Sequence, residues 1–322
     1  MPLVLVTGGT GHLGRDLVAR LLRDGHQVRV LARAPRPSMR VEWAIGNLAT
    51  GEGLREAVQG VHTIINAATD SPIAQRGRVQ LMDLFRSPAA VDLQGTERLI
   101  ALCSEMPVQH FLHVSIVGLE DASLPYAKVK LAGEKLVRNS RIPWSIVRAT
   151  PFYYLIEKIL AKASWLPVWP LPMAPFNPVD TTDVADYLAR CVFDGPRGEH
   201  AEIGGPDDLG LAELARRYQA LRHTNRAIVP LGVSERTARR LGFVVSRGVR
   251  GALSWEEWLA RRSRDRQAAA RHERSDRDGR HCSGGSPLVR FLARSISVTA
   301  IRISARVLRS GASSMACFSA AP

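Results

Sequence analysis

Residues 3–15 read Leu3-Val4-Leu5-Val6-Thr7-Gly8-Gly9-Thr10-Gly11-His12-Leu13-Gly14-Arg15, and this stretch decides the fold. The four apolar residues at its start predict a short buried strand, and a glycine turn follows directly. Beyond the turn, apolar residues recur at helical spacing through Leu22. The glycines therefore stand where a strand ends and a helix begins, which is the context that gives their spacing a functional meaning.

Each glycine of this turn has a predicted role. Gly8 allows a sharp turn, Gly11 lets the backbone approach a diphosphate group, and Gly14 lets the helix pack close to the sheet. The start of the helix adds unpaired N–H groups and the positive end of its dipole. The alternative is a tight turn without a ligand. We expect the diphosphate of a dinucleotide to bind at Gly8, Thr10, Gly11, His12, Leu13 and Gly14.

Residues 27–32 predict a second strand, and the residue that follows it governs the choice of nicotinamide cofactor in this architecture. An acid there would bond the ribose hydroxyls of NAD, whereas this chain has Arg33, with Arg36 close behind. A guanidinium suits the 2′-phosphate of NADP. The sequence therefore favours NADP(H), with NAD(H) as the second choice; a solvated surface arginine is the alternative interpretation of Arg33.

Four further strands are predicted at residues 41–45, 61–65, 111–115 and 144–148. They alternate with helical segments, which predicts a parallel sheet covered on both faces, with the carboxyl ends of all strands at one edge. Two of these ends add Asn47, Leu48, Ala67 and Ala68 to the predicted cofactor site. Asn47 either bonds the adenine edge or caps the next turn. Residues 69–90, which contain Pro72, Gly77 and Pro88, predict a loop with one helical turn.

Tyr126 and Lys130 share one face at the start of a predicted helix over residues 126–138. A lysine ammonium beside a phenol favours the phenolate and lowers the phenol pKa, and it can also hold the cofactor ribose. Ser115, at the end of the preceding strand, could bond a substrate carbonyl. Tyr126, Lys130 and Ser115 are therefore the predicted catalytic residues. Tyr154 and Lys158 have the same spacing but follow the next strand, which places them in a different wall.

These motifs resemble the short-chain dehydrogenase/reductase superfamily, and the glycine spacing resembles its atypical, NmrA-like branch of NAD(P)H-binding proteins. The resemblance covers about residues 1–260 and rests on the glycine turn, Asn66-Ala67-Ala68, Val114-Ser115, Tyr126-x-x-x-Lys130 with Glu134, residues 143–150, Pro178-Val179-Asp180, Asp183-Val184-Ala185 and Ile203-Gly204-Gly205-Pro206. It implies a doubly wound Rossmann fold, NADP(H) binding and a smaller C-terminal substrate region. Some members are reductases of quinones or dyes, and others bind the nucleotide as redox sensors without turnover.

The chain after the last predicted strand carries the aromatic residues expected beside a flat substrate. Pro151 is predicted to contact the cofactor, and Phe152, Tyr153 and Tyr154 are predicted to line the substrate pocket together with the proline-rich residues 165–178. Ordinary packing of a second small core is the alternative. Asp183 is predicted to cap a helix over residues 184–192, and two more helices are expected near residues 211–221 and 248–259.

Half of the formal net charge of +14 lies in the last sixty residues, which are rich in arginine. Residues 263–285 have hardly any apolar side chain and are predicted to be disordered. The basic composition is the only feature that suggests nucleic-acid binding, and we do not expect that function. A basic amphipathic helix on a membrane surface is an alternative interpretation of the end of the chain. No apolar run is long enough to span a membrane, and the four cysteines have neither metal-ligand nor disulfide spacing.

The sequence therefore predicts an α/β protein with a cofactor-binding core over residues 1–150, a substrate-binding region over 151–262 and an arginine-rich tail over 263–322. The expected function is an NADP(H)-dependent oxidoreductase that transfers hydride to a small carbonyl, quinone or enone. The alternative is a non-catalytic redox sensor that binds the same cofactor. We expect a cytoplasmic monomer or homodimer without a metal.

Overall fold

The computed structural model describes residues 2–36, 39, 41–70, 89–123 and 125–282, and gives only the backbone for residues 269–282. Most strands of the described residues join one sheet. They are β1 (Leu3–Thr7), β2 (Gln27–Ala32), β3 (Glu42–Ile45), β4 (Thr63–Asn66), β5 (His110–Ile116), β6 (Trp144–Ala149), β9 (His200–Gly204) and β12 (Val249–Arg250). Their order in the sheet is β12-β9-β6-β5-β4-β1-β2-β3, and every neighbouring pair is parallel.

Helices cover both faces of this sheet, as the alternation of strands and helices predicts. The helices of the described residues, on the sheet and beyond it, are α1 (His12–Arg23), α2 (Leu54–Val58), α3 (Ala89–Asp92), α4 (Gln94–Glu105), α5 (Pro125–Asn139), α6 (Tyr153–Ala163), α7 (Thr181–Asp194), α8 (Leu211–Arg222), α9 (Glu235–Arg240) and α10 (Trp255–Cys282). Val4 and Val6 of β1 pack with α1 and α7, whereas Leu5 packs on the other face with α2, α4 and α5. The doubly wound Rossmann-like fold is confirmed.

A second core lies C-terminal to β6 and contains the aromatic residues of that region. Two small sheets accompany it, in which β7 (Val168–Pro172) pairs with β11 (Ala227–Leu231) and β8 (Pro175–Phe176) pairs with β10 (Leu209–Gly210). Trp169, Phe176 and Trp255 are almost fully buried there. The proline-rich residues 165–178 therefore contribute mainly to a second core, which was the alternative to a pocket wall.

One sequence prediction about a helix cap was wrong. The cap of α7 is Asp180, whose carboxylate accepts a hydrogen bond from Thr182 N at 3.1 Å, because the helix begins at Thr181; Asp183 instead accepts a bond from Leu253 N. The backbone of α10 continues into residues 263–285 and ends at Cys282. Alanine, arginine, glutamine and glutamate are strong helix formers even without an apolar face.

The chain divides between Arg261 and Arg262, and everything described below lies in the unit Met1–Arg261. Most of the predicted loop over residues 69–90 lies outside the described residues, as does the apolar stripe predicted beyond Pro287. Among the described residues, no helix is long and apolar enough to cross a membrane.

Candidate functional site

The glycine turn lies at the carboxyl edge of the sheet, where β1 runs between β4 and β2. Gly8 has a φ of +71°, and a Cβ atom there would lie 2.7 Å from the carbonyl oxygen of Ala67 at the end of β4. At Gly14 a Cβ atom would lie only 2.1 Å from the carbonyl oxygen of Gly8. Both positions therefore require glycine because the backbones of β1, β4 and α1 meet there without room for a side chain.

The start of α1 is shaped to accept an anion. Gly11 stands at the N-cap, no side chain caps the first turn, and that turn holds no acidic residue. A Cβ atom at Gly11 would meet a single atom within 4 Å, the carbonyl oxygen of Gly8 at 3.2 Å, so the outer side of this glycine is open. Backbone N–H groups and the helix dipole attract phosphate at such a terminus, and these residues fit the diphosphate of a dinucleotide.

The predicted partners of the adenosine end differ in their surroundings. Arg33 and Arg36 are exposed beyond the end of β2, and neither forms an ion pair with another described residue. Asn47 takes the capping role, because its Oδ1 accepts a hydrogen bond from Ala49 N at 3.0 Å. Leu48 is buried in the core beneath α4, and its carbonyl oxygen accepts a bond from Arg98.

Tyr126 and Lys130 belong to a network of hydrogen bonds and one ion pair that also contains Asp92 and Thr69. The Asp92 carboxylate lies 2.8 Å from Lys130 Nζ through Oδ1, and its Oδ2 accepts bonds from Thr69 Oγ1 at 3.1 Å and Asp70 N at 3.0 Å. Thr69 Oγ1 in turn lies 3.2 Å from the Tyr126 hydroxyl. The side chains of Asp92 and Lys130 are buried, so α3 and α5 hold the ammonium in a fixed position beside the phenol.

The electrostatics of this network differ from the prediction made from the Tyr-Lys spacing alone. Burial raises the pKa of Tyr126 above its ordinary value. Lys130 lowers this pKa by less than burial raises it, and the negative charge of Asp92 raises it further. Burial lowers the pKa of Lys130, but the nearby Asp92 and Tyr126 raise it by more, so the net pKa of Lys130 is raised. The phenol is therefore protonated at neutral pH: Lys130 lowers its pKa as the spacing predicts, but burial outweighs that effect.

Two more buried polar groups lie at the ends of β4 and β5. Asn66 is held on both sides, with its Oδ1 accepting from Thr7 Oγ1 at 2.8 Å and its Nδ2 donating to Thr96 Oγ1 at 2.9 Å. Ser115 is buried, and its hydroxyl has no hydrogen-bond partner among the described residues. A buried hydroxyl without a partner is costly, so Ser115 Oγ is a group that a ligand could satisfy.

The three aromatic residues after β6 take two different positions. The Tyr154 ring stacks on His12 of the glycine turn, with ring centroids 4.0 Å apart, and Phe152 stacks on Tyr154 at 5.7 Å. Burial raises the pKa of Tyr154, and the proximity of Tyr126 raises it further. Both Tyr-Lys pairs therefore lie at the same edge of the sheet, and not in different walls.

Tyr153 does not line the site, contrary to the sequence prediction. It is 2% exposed, packs against the stacked rings of Trp255 and Trp258, and donates its hydroxyl hydrogen to the carbonyl oxygen of Leu253 at 3.0 Å. Because α6 begins at Tyr153, neighbouring side chains point about 100° apart, and only Tyr154 can face the turn. Pro151 lies at the same edge, where its carbonyl oxygen accepts a bond from Val179 N.

Sequence reasoning missed Asp92 and Thr69, which the chain separates from Tyr126 by more than thirty residues. The available signal was an acid between Val91 and Leu93 at the start of an apolar helix, where a buried carboxylate needs a cation. Among the described residues, no group of His, Cys, Asp and Glu could hold a metal ion. Cys103 and Cys191 are buried free thiols.

Comparison with known proteins supports a nicotinamide cofactor site at this edge of the sheet. A family model described as NAD(P)H-binding matches residues 8–194, which is more than half of the chain and includes the glycine turn and the Tyr126 network. The chain belongs to the NAD(P)H-binding family. The match of this family member begins at Gly8, the first glycine of the turn.

Curated relatives of this NAD(P)H-binding protein have several activities. A photosystem II assembly factor from Cyanophora paradoxa is 29% identical over 58% of this chain and 58% of its own. The divinyl chlorophyllide a 8-vinyl-reductase of rice is 30% identical over 63% of this chain and 54% of its own. A (4-alkanoyl-5-oxo-2,5-dihydrofuran-3-yl)methyl phosphate reductase from Streptomyces griseus is 29% identical over 66% of this chain and 71% of its own. The chain spans a little over half the length of the first two relatives.

Solved structures share the fold. A short-chain dehydrogenase/reductase superfamily protein from Agrobacterium tumefaciens with bound NAD superimposes with a TM-score of 0.60 at 20% identity, over 86% of this chain and 99% of that one. The UDP-glucuronic acid 4-epimerase of Bacillus cereus, in complex with UDP-glucuronic acid and NAD, gives a TM-score of 0.63 at 16% identity, over 80% and 96% of the two chains. The family member therefore has the short-chain dehydrogenase/reductase fold.

Proposed function

We propose that this protein is an NADP(H)-dependent reductase of a small carbonyl, quinone or enone, with Tyr126 as the proton donor. The observation that carries the proposal is the network at one edge of the sheet, in which a phenol, a buried ammonium and a buried carboxylate are connected through Thr69. A dinucleotide-binding turn lies at the same edge. Ionisable groups with shifted pKa values cluster at functional sites, which supports a chemical role for this network.

The glycine turn and the N-terminus of α1 would hold the cofactor diphosphate, and Arg33 with Arg36 would hold the 2′-phosphate of NADP. Their exposed guanidiniums form no ion pair with other described residues, which leaves them available to an anion. Bound NADPH supplies the hydride. Ser115 Oγ, which needs a hydrogen-bond partner, would orient the substrate carbonyl.

Tyr126 would give its hydroxyl proton to the reduced oxygen or carbon of the substrate. Its raised pKa keeps this proton in place until it is needed, and Lys130 then stabilises the phenolate that forms. Asp92 is a positioning residue, because it holds Lys130 at 2.8 Å and orients Thr69 toward the phenol. Two relatives are named as reductases of a vinyl group and of a dihydrofuranone, which supports a conjugated substrate.

The test compares Tyr126→Phe with Tyr154→Phe, because the chain carries two Tyr-Lys pairs at the same spacing. NADPH oxidation is followed with a panel of quinones, enones and carbonyls. We expect Tyr126→Phe to lower kcat by about a hundredfold and to leave NADPH affinity unchanged, since general acid catalysis contributes about that much. Tyr154→Phe keeps the ring on His12 and should retain activity. Full activity of Tyr126→Phe, or loss in Tyr154→Phe alone, contradicts the assigned role.

A non-catalytic redox sensor is the second candidate. It is favoured by the relatives that are named as assembly factors and not as enzymes. The sensor predicts tight NADPH binding with no oxidation by any member of the panel, in the parent protein as well as in both tyrosine variants. Turnover that depends on Tyr126 excludes it.

A further inference from the structure

The small sheet of β7 and β11 has one apolar side that packs in the second core and another that does not. The strands pair in parallel, in a register that sets Trp169 opposite Ile228, and paired residues share a side of the sheet. Trp169 is 1% exposed and belongs to the second core. The opposite side carries side chains that are all apolar and exposed or half-buried: Val168, Pro170, Pro172, Ala227, Val229 and Leu231.

Two large apolar side chains extend this side beyond the strands. Trp165 stands three residues before β7 and is 78% exposed, and Met173 directly follows β7 and is 58% exposed. The other five tryptophans of the chain are buried or half-buried. We call these eight residues the β7/β11 face. A contiguous exposed apolar surface of this kind marks a place where another surface docks.

The segments that build the β7/β11 face are cationic. Residues 158–179 contain two lysines and no acid, and residues 214–234 contain four arginines and no acid. The arginines on α8 pair with glutamates outside these segments. Lys162, in the last turn of α6, and Arg226, directly before β11, are exposed and form no ion pair with another described residue. Each of these two cations therefore precedes a strand of the face and is available to an anion.

This combination fits an anionic lipid surface better than a protein. A second copy of the chain, docked face to face, would bring the same cations together, and like charges repel. Strand addition is disfavoured because Pro170 and Pro230 have no N–H to donate at the sheet edges. An apolar face with an exposed tryptophan and flanking cations has the composition of a membrane-surface anchor, since tryptophan prefers the headgroup level and cations attract anionic lipids.

We propose that the β7/β11 face attaches this protein to the surface of an anionic lipid bilayer. Trp165 lies at the headgroup level, the apolar side chains of the two strands contact the acyl boundary, and Lys162 with Arg226 contacts the lipid phosphates. The attachment requires neither a bound cofactor nor Tyr126, so it goes beyond the proposed reductase function and does not depend on it.

The first test measures flotation of the full chain with vesicles of phosphatidylcholine and phosphatidylglycerol, against vesicles of phosphatidylcholine alone. The variant Lys162→Gln/Arg226→Gln should bind the anionic vesicles about 30-fold more weakly, at about fivefold for each cation. The control Arg23→Gln/Arg141→Gln removes two exposed cations outside the face and should change the affinity by less than about twofold. Far-ultraviolet circular dichroism checks that both variants fold.

The second test removes apolar surface from the face. Trp165→Ala/Val229→Ser should weaken binding to the anionic vesicles by at least about tenfold. The control Phe193→Ala/Leu22→Ser removes side chains that are 87% and 41% exposed on other helices, and it should change binding by less than about twofold. Brominated lipid in the vesicles should quench tryptophan fluorescence of the parent protein, and this quenching should be largely lost in Trp165→Phe.

The outcomes identify what occupies the face. Vesicle binding that is unchanged in both face variants but lost on deletion of residues 263–322 assigns the attachment to the end of the chain and overturns the proposal. A parent dimer that Trp165→Ala/Val229→Ser dissociates, without any vesicle binding, makes a second copy the occupant and also overturns it. Equal binding to both kinds of vesicle contradicts the role of the cations. NADPH oxidation is measured separately, and its failure leaves the vesicle result unchanged.

Discussion

Replacement of Asp92 by asparagine changes the central network with little change of shape. Asparagine has almost the same size as aspartate, and its oxygen can still accept bonds from Thr69 Oγ1 and Asp70 N. What disappears is the negative charge 2.8 Å from Lys130 Nζ, at a place where the lysine side chain is 6% exposed and that of Asp92 is 0% exposed. The variant therefore leaves a buried ammonium without its counterion.

The expected loss of stability is large for a single substitution. Breaking a buried ion pair on one side costs about 3–5 kcal/mol. At about 2 °C per kcal/mol for a unit of this size, the Tm should fall by about 6–10 °C. Glu105→Gln is the control, because it breaks the exposed pair with Arg55, whose side chains are 60% and 54% exposed. An exposed pair contributes at most about 1 kcal/mol, so its Tm should fall by about 2 °C or less.

The same variant should shift the pH dependence of reduction. The charge of Asp92 is one of the causes that raise the pKa of Tyr126, so its removal lowers that pKa. The protonated phenol is the active form in reduction, and the alkaline fall in kcat should therefore move to lower pH in Asp92→Asn. The assays are calorimetric melting and kcat against pH. A melting temperature within 1 °C of Glu105→Gln, or an alkaline limb that does not move, refutes the account of this network.

Two further predictions concern the glycine turn and the buried histidines. Gly14→Ala should destabilise the protein by about 3 kcal/mol or more, since its methyl group would overlap backbone atoms. Gly11→Ala should change the stability by less than about 1 kcal/mol, yet weaken NADPH binding at least tenfold. Chemical denaturation measures the stabilities and fluorescence titration the affinities, and equal behaviour of the two variants contradicts their separate roles. Burial lowers the pKa of His110 to about 4 and that of His113 to about 3, so the unfolded chain takes up protons that the folded chain does not. Stability should therefore fall as the pH drops below about 6.5, and His113→Asn should show a shallower fall.

The sequence was sufficient for features that depend on neighbouring residues. The buried run Leu3–Val6 and the glycines after it predicted a strand, a turn and a helix, because strand length, turn geometry and helical periodicity are local properties. The rule that parallel strands end at one edge then placed Arg33, Ala67, Ser115 and the start of α1 at the same edge of the sheet.

Features that depend on distant parts of the chain could not be predicted. Nothing in the sequence near Tyr126 indicates that Asp92 pairs with Lys130 or that Thr69 contacts the Tyr126 hydroxyl. Those contacts arise from the packing of α3 against α5. Tyr153 and Tyr154 are adjacent and chemically identical, and only the starting point of α6 decides which is buried. The sign of the pKa shift at Tyr126 likewise depends on burial that the sequence does not reveal.

The central claim is that the turn between β1 and α1 binds the diphosphate of NADP(H) and that Arg33 binds its 2′-phosphate. Equilibrium titration of NADPH and NADH against the parent, Arg33→Ala and the exposed control Arg23→Ala tests it most directly. We predict that the parent binds NADPH at least about tenfold more tightly than NADH, equivalent to about 1.4 kcal/mol, and that only Arg33→Ala loses this preference. Failure of the parent to bind either dinucleotide, or an unchanged preference in Arg33→Ala, contradicts the claim.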